Sequence, residues 1–176
     1  LLTTFLFHVD LFRQIGPGTR DSLLTDPDFP AYNFDMIHGL TYSVDLSKPA
    51  RFDAGGHDLA TGARICDLRH EGRPVHPDSR FVLASNSYRV TGGVGFAGTD
   101  PAQVVAEGKA MLRRVVEHHV RRKGTIAPED RAGWKFVAMP GTSVVFDSAP
   151  EALPRAASAG VEPVSAQPDG FMRFRL

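Results

Sequence analysis

Leu40-Thr41-Tyr42-Ser43-Val44-Asp45-Leu46 is the stretch whose reading decides the fold class. Leu40, Tyr42, Val44 and Leu46 fall on one side of an extended chain, and Thr41, Ser43 and Asp45 on the other. Side chains alternate between the faces of a strand, so this period of two predicts a strand with one buried face. Outward from it, residues 63–69 and 80–85 also read as strands, separated by Glu71-Gly72-Arg73-Pro74 and Pro77-Asp78. Those are turn residues, which predicts an antiparallel pair with an extended connection. Further strands are expected at 134–138, 143–147 and 171–176. Residues 1–15 suit a short helix or a strand. Residues 16–32 are expected to be a loop, because Gly16, Pro17, Gly18, Pro27 and Pro30 interrupt any regular element.

One long helix is expected over residues 102–123. Asp100 suits its N-cap, Pro101 its first position and Gln103 a box-like spacing. Val104, Val105, Met111, Leu112, Val115, Val116 and Val120 form an apolar stripe at helical spacing. Arg121, Arg122 and Lys123 complement the C-terminal dipole, and Gly124 ends the helix. A short helix is expected around 150–159, limited by Pro154. Strands outnumber helices without βαβ alternation. The class is therefore α+β, with a mixed or antiparallel sheet packed with one long helix and shorter helices.

Composition narrows the function. The 176 residues suit one domain, and an apolar content of 42% argues for a globular fold rather than disorder. The net charge of +0 leaves no global field for nucleic acid or an anionic membrane, and neither is expected as a partner. The single cysteine, Cys66, excludes an internal disulfide and reads as an inert core or edge thiol. No apolar stretch approaches the roughly 20 residues of a spanning helix. Residues 1–9 are apolar but lack the basic start and small-residue cleavage site of a signal peptide. They read as a chain that begins inside something longer.

The segment richest in chemistry is Asn86-Ser87-Tyr88-Arg89-Val90-Thr91-Gly92-Gly93-Val94-Gly95-Phe96, delivered by residues 81–85. Tyr88 offers a stacking face, worth about 1–3 kcal/mol per base in other proteins. The Asn86 amide can donate and accept along a base edge. Arg89 could meet a phosphate or cap the aromatic stack. Gly92 and Gly93 let the backbone bend or approach a ligand, with a positive φ expected in at least one. Taken alone, a Gly-Gly-x-Gly tract is more often a tight turn. It is neither a dinucleotide fingerprint nor a P-loop.

Order supplies the rest. Residues 32–45 run Tyr-Asn-Phe-Asp-Met-Ile-His-Gly-Leu-Thr-Tyr-Ser-Val-Asp, followed by Glu71-Gly72-Arg73-Pro74-Val75-His76-Pro77-Asp78 and then the Asn86 segment. In this order, over roughly residues 11–176, the chain resembles the C-terminal domain of 5′-nucleotidases. Within them it looks most like the bifunctional 2′,3′-cyclic-nucleotide 2′-phosphodiesterase/3′-nucleotidase branch. Residues 1–10 form an atypical N-terminal segment outside the resemblance.

The resemblance implies a division of labour. An N-terminal metallophosphoesterase domain holds two divalent metal ions, and the C-terminal domain grips the nucleotide or nucleoside between two aromatic rings. Domain rotation then carries the substrate to the metals. It implies Asn86, Tyr88, Arg89, Gly92, Gly93 and Phe96 as substrate-binding residues, no catalytic or metal residue in this chain, and a periplasmic or secreted protein. Tyr88 matches one ring of the sandwich. The other belongs upstream of residue 11, where this sequence does not match. Val94 stands where 5′-nucleotidases carry an acidic residue for the ribose hydroxyls. The expected function is nucleotide recognition for a phosphoesterase whose metal domain lies outside these residues. The alternative is a stand-alone binding or interaction domain that kept the fold.

The seven histidines do not read as a metal centre. His118 and His119 point about 100° apart on a helix and cannot chelate together. His57-Asp58 reads as loop, and His70 and His76 as exposed residues flanking a turn. No Asp-x-His, Gly-Asn-His-Glu or Gly-His-x-His run is present. Tyr32, Phe34 and Tyr42 read as core or edge aromatics. An organising place beside the base site is the lesser reading of Asp35. The basic clusters at 113–114 and 121–123 read as a solvated helix face and its end.

Overall fold

The computed structural model describes residues 7–29, 34–91, 101–127 and 133–176. In chain order these form a 3-10 turn at Phe7–Leu11, then β1 (Ser22–Leu23), β2 (Leu40–Val44), β3 (Ile65–His70) and β4 (Arg73–Pro74). A single helical turn, α1 (Ser87–Val90), a 3-10 turn at Pro101–Gln103, and α2 (Leu112–Lys123) follow. The chain ends with β5 (Trp134–Phe136), β6 (Val144–Ser148), a 3-10 turn at Pro150–Arg155, β7 (Glu162–Ala166) and β8 (Met172–Arg175). The strands make two four-stranded sheets, ordered β4-β3-β2-β5 and β1-β6-β8-β7. Each contains one parallel pair, β2 with β5 and β1 with β6, among antiparallel neighbours. The fold is thus α+β with mixed sheets, as expected.

β2 forms because its apolar residues alternate, and its place between β3 and β5 explains the rest of its burial. Leu40, Tyr42, Val44 and Leu46 are all buried, and Ser43 on the other face is buried as well. Opposite Tyr42, β3 carries an extra residue, since Thr41 faces Arg69 while Ser43 faces Cys66. This is a β-bulge, and Asp67 within it has φ 52°. A short carboxylate side chain is among the few that tolerate the left-handed region. β3 then turns into β4 through Glu71 and Gly72, at φ 50° and 77°. Two positive-φ residues in a two-residue loop are the hairpin turn that matches strand twist.

The core receives much of its volume from the N-terminal segment. Val9, Leu11, Phe12 and Ile15 are buried with Leu24, Phe29, Phe52 and Val144. Phe12 meets Phe34, Trp134 and Phe136 at centroid distances of 5.8, 5.9 and 5.1 Å. In the second sheet, Arg175 on β8 forks onto Asp21 at 2.7 and 3.0 Å and also reaches Glu162 on β7. Arg173 forks onto Asp147 of β6. These side chains lie across the strands on an exposed face.

A buried ion pair ties the N-terminal turn to the long loop between β2 and β3. The side chains of Asp10 and Arg64 are each 2% exposed, and Arg64 Nη1 lies 3.7 Å from Asp10 Oδ1. The Arg51 and Phe52 N–H groups donate to Asp10 Oδ2 at 3.2 and 2.9 Å. Arg64 donates to the carbonyls of Lys48, Val9 and Phe12. Loss of water raises the Asp10 carboxyl above its ordinary range, against the Phe52 hydrogen bond and the Arg64 charge. The same loss lowers Arg64, against the charge of Asp10. Gly62 belongs to this arrangement too, because a Cβ there would collide with the Pro49 carbonyl.

Four expectations are corrected. Residues 80–85 form no strand. Pro74 has no N–H to continue a ladder, so β4 stops after two residues and the chain leaves the sheet edge. Past Pro74 the Val75 N–H still donates to the Leu68 carbonyl at 2.9 Å, and the Phe81 ring lies 5.2 Å from His70. The long helix is also shorter than expected. Gly108 separates the 3-10 turn at Pro101–Gln103 from α2, and Met111 caps α2 without a side-chain hydrogen bond. Gly124 does end it, at φ 72°. Leu112, Val115, Val116 and Val120 on its apolar stripe stand exposed. Third, the loop expected at 16–32 contains β1, whose two residues pair with β6. Lastly, β7 was not expected: Glu162–Ala166 includes Pro163 and lacks a buried face, which is how an edge strand reads.

Two predictions follow from the core. Asp10→Ala or Arg64→Ala should cost about 3–5 kcal/mol, since either leaves a buried charge without its partner. Urea unfolding measures the loss, and replacing both residues with apolar ones of similar volume should recover most of it. Burial pushes the Tyr42 hydroxyl up to about 12. An unfolded tyrosine ionises near pH ~10, so Tyr42 contributes stability in full below that pH. The contribution is lost as pH rises towards about 12. Ultraviolet titration of the phenolates should show a late step that Tyr42→Phe removes.

Candidate functional site

The expected nucleotide site is built on α1. Asn86 is itself extended, at φ −88° and ψ 161°, and its side-chain oxygen accepts the Arg89 N–H at 2.9 Å. That is an N-cap, the position where asparagine is most at home. With Oδ1 engaged, the Nδ2 donors are the part of the amide able to meet a base edge. The Val90 and Thr91 N–H groups donate to the carbonyls of Asn86 and Ser87, which closes the turn.

This turn puts Tyr88 on the surface and Arg89 against the protein. Tyr88 is 51% exposed, while the Arg89 side chain is 11% exposed. Arg89 Nε lies 3.0 Å from Asp35 Oδ2, and Nη2 donates to Oδ1 at 3.1 Å. Two parallel contacts make a fork-on-fork pair. The guanidinium carbon also sits 5.7 Å from the Tyr88 ring centroid, within the range of a cation–π contact. Asp35 precedes β2, and its neighbour Phe34 packs on Trp134 at 5.6 Å. Tyr88 is therefore held through Arg89, Asp35 and Phe34 to the aromatic core.

A hollow of about 380 Å³ opens beside α1, lined by Phe81, Leu83, Val90, Val104 and Val105 among others. Tyr88 does not line it. Gly92, Gly93 and Phe96, also expected at the site, lie outside the described residues, and so does the expected positive φ of the glycines. The structure thus brings together Asn86, Tyr88 and Arg89 and adds Asp35. What sequence offered for Asp35 was its place in the motif. The pairing with Arg89 spans 54 positions and left no local signal.

The other candidates have structural partners. His57 Nδ1 lies 2.9 Å from Asp53, whereas Asp58 pairs with Arg51, so His57 and Asp58 do not converge. Among the described residues no three His, Cys, Asp or Glu side chains group as metal ligands. Cys66 is exposed on β3, and burial of its thiol together with Asp45 and Asp67 pushes its pKa up, away from a reactive thiolate. Arg113 and Arg114 reach Glu117 on the face of α2. Phe34 and Tyr42 pack in or against the core, as expected. No helix among the described residues is long and apolar enough to cross a membrane.

Comparison with known proteins places the chain in a family. The 5′-nucleotidase C-terminal domain matches residues 14–100, which include Asp35, Asn86, Tyr88 and Arg89. The trifunctional nucleotide phosphoesterase protein YfkN of Bacillus subtilis is 34% identical over 150 residues, covering 84% of this chain and 10% of that protein. The 2′,3′-cyclic-nucleotide 2′-phosphodiesterase/3′-nucleotidase of Haemophilus influenzae is 32% identical over 150 residues, covering 80% of this chain and 23% of the enzyme. Its namesake in Salmonella typhimurium is 34% identical over 128 residues, covering 70% and 20%. The chain thus spans between a tenth and a quarter of the length of these relatives. No solved structure is significantly similar to it. The chain belongs to the 5′-nucleotidase C-terminal domain family and is homologous to the bifunctional phosphodiesterase/nucleotidases.

Proposed function

We propose that this chain is the nucleotide-recognition domain of a two-metal phosphoesterase acting on 2′,3′-cyclic nucleotides and 3′-nucleotides. The observation that carries the reading is the half-exposed Tyr88 ring, presented by a capped turn and held to the core through Arg89 and Asp35. A ring fixed in this way can stack on a base without first being ordered, which lowers the entropic cost of binding. The Asn86 amide stands at the start of the same turn for a base edge, and Gly92, Gly93 and Phe96 complete the proposed site. The names of the relatives, nucleotide phosphoesterase and cyclic-nucleotide phosphodiesterase/nucleotidase, supply the substrate class.

Hydrolysis in this reading belongs to two divalent ions in a metallophosphoesterase domain N-terminal to the described fold. Such ions would supply Lewis-acid activation of the phosphate ester and of the attacking water. The described residues offer no ligand group that fits them. The chain's own work is to bind and orient the nucleoside while the other domain cuts the phosphate ester. We place the protein in nucleotide catabolism, in the periplasm or outside the cell.

Two outcomes are expected. Tyr88→Ala should weaken binding of 3′-AMP by about 1–3 kcal/mol if stacking is the main term, and Tyr88→Phe should cost little. Calorimetric titration of the chain, repeated in a protein carrying the metal domain, measures both. Unchanged affinity in Tyr88→Ala removes the base site from α1. The chain alone, supplied with manganese or cobalt, should release no phosphate from 3′-AMP. Metal-dependent release that disappears on changing His57 or Asp58 would place the active site here after all.

A further inference from the structure

We propose that Arg89 is a positioning residue for the base rather than a ligand of the phosphate, with Asp35 as the residue that aims it. The inference rests on the base site proposed on α1 and assigns a division of roles within it. An arginine beside a nucleotide site is ordinarily expected to meet phosphate, because its planar fork fits an oxyanion. Here that fork already faces an oxyanion of the protein itself. Nε and Nη2 lie 3.0 and 3.1 Å from the two oxygens of Asp35.

Three consequences follow from this geometry. The Asp35 carboxylate offsets the guanidinium charge that would attract a phosphate. It also puts a negative charge about 3 Å from the cation. A phosphate drawn to that cation would meet like-charge repulsion across a few ångströms. Finally, the Arg89 side chain is covered, at 11% exposed, while Tyr88 beside it is open. What the guanidinium does reach is the ring, with its carbon 5.7 Å from the Tyr88 centroid. The one guanidinium is thus fixed by a loop packed on the aromatic core and set over the Tyr88 ring. The pair thus braces the stacking ring at a chosen angle, and the phosphate is left to groups outside this turn.

The test is to titrate the chain with adenosine and with 3′-AMP, following chemical shifts by NMR. The variants are Asp35→Asn, Arg89→Gln, Arg89→Lys and Tyr88→Ala. Asp35→Asn and Arg89→Gln should weaken both ligands by the same factor, about 5- to 10-fold, as expected for a charge-assisted bidentate pair. Arg89→Lys keeps the charge but loses the fork, so it should behave like Arg89→Gln. A loss confined to 3′-AMP, or full 3′-AMP affinity in Arg89→Lys, overturns the proposal and makes Arg89 a phosphate ligand. Unchanged affinity in Asp35→Asn, with Tyr88→Ala still weakened, overturns the proposal and leaves the base site standing. No effect from Tyr88→Ala removes the base site, and the proposal with it. Thermal unfolding of each variant separates lost binding from lost fold. If Asp35→Asn does not fold, the equal or unequal loss of the two ligands in Arg89→Lys decides alone.

Discussion

The two sheets depend on a buried charge pair that neither of them contains. Asp10 and Arg64 lie between the N-terminal turn and the loop that follows β2, and their backbone partners come from residues 9–12 and 48–52. Val9, Leu11, Phe12 and Ile15 are buried because that turn is fastened there. Phe12 in turn supports Phe34, Trp134 and Phe136. A pair of this kind adds little net stability over an apolar packing, because both charges must leave water. What it supplies is a unique registration: only one placement of the turn gives both charges their partners.

That registration reaches the functional surface by a short path. Phe34 is seated in the aromatic cluster, Asp35 is its next residue, and Asp35 holds Arg89. The site on α1 therefore takes its position from the core although it lies in a poorly covered stretch of chain. The flanking segment 80–85 contributes no sheet hydrogen bonds, and α1 is only four residues long. A single turn of helix is not stable by itself in water. The Asn86 cap and the Asp35 fork supply what length does not.

Sequence showed the strands wherever one face is buried. β2, β3, β5, β6 and β8 were readable from alternation or apolar runs, and the β3–β4 turn from Glu71-Gly72. The ends of the long helix fared differently. Gly124 marks its C-terminus in both sequence and structure, but Pro101 and Gln103 sit on a separate 3-10 turn, because local cap signals say nothing of Gly108 further on. β7 was illegible because it carries Pro163 and no buried face, although its partner β8 follows directly, and β1 because it is an edge strand stabilised by a partner far away in sequence. The same reason hid the Asp10–Arg64 pair, since separation along the chain leaves no periodic trace. At the site, Asn86, Tyr88 and Arg89 were legible as a cluster of suitable chemistry. The direction in which Arg89 points was not, as it is set by a residue 54 positions away.

The parallel pairing of β1 with β6 has a consequence for the order in which the protein is made. Asp21 takes a hydrogen bond from the Ser143 hydroxyl and gives its own N–H back, across 122 positions of chain. It then meets Arg175 across 154. A ribosome delivers about 5–20 residues per second, so β1 waits several seconds for its neighbour. During that wait its backbone edge and the adjoining Leu23 and Leu24 have no sheet to join. The first sheet faces a similar delay, because β5 comes late as well. Nascent chains thus carry these open strand edges until residues 134–148 have been made, and holding chaperones have something to grip during that interval.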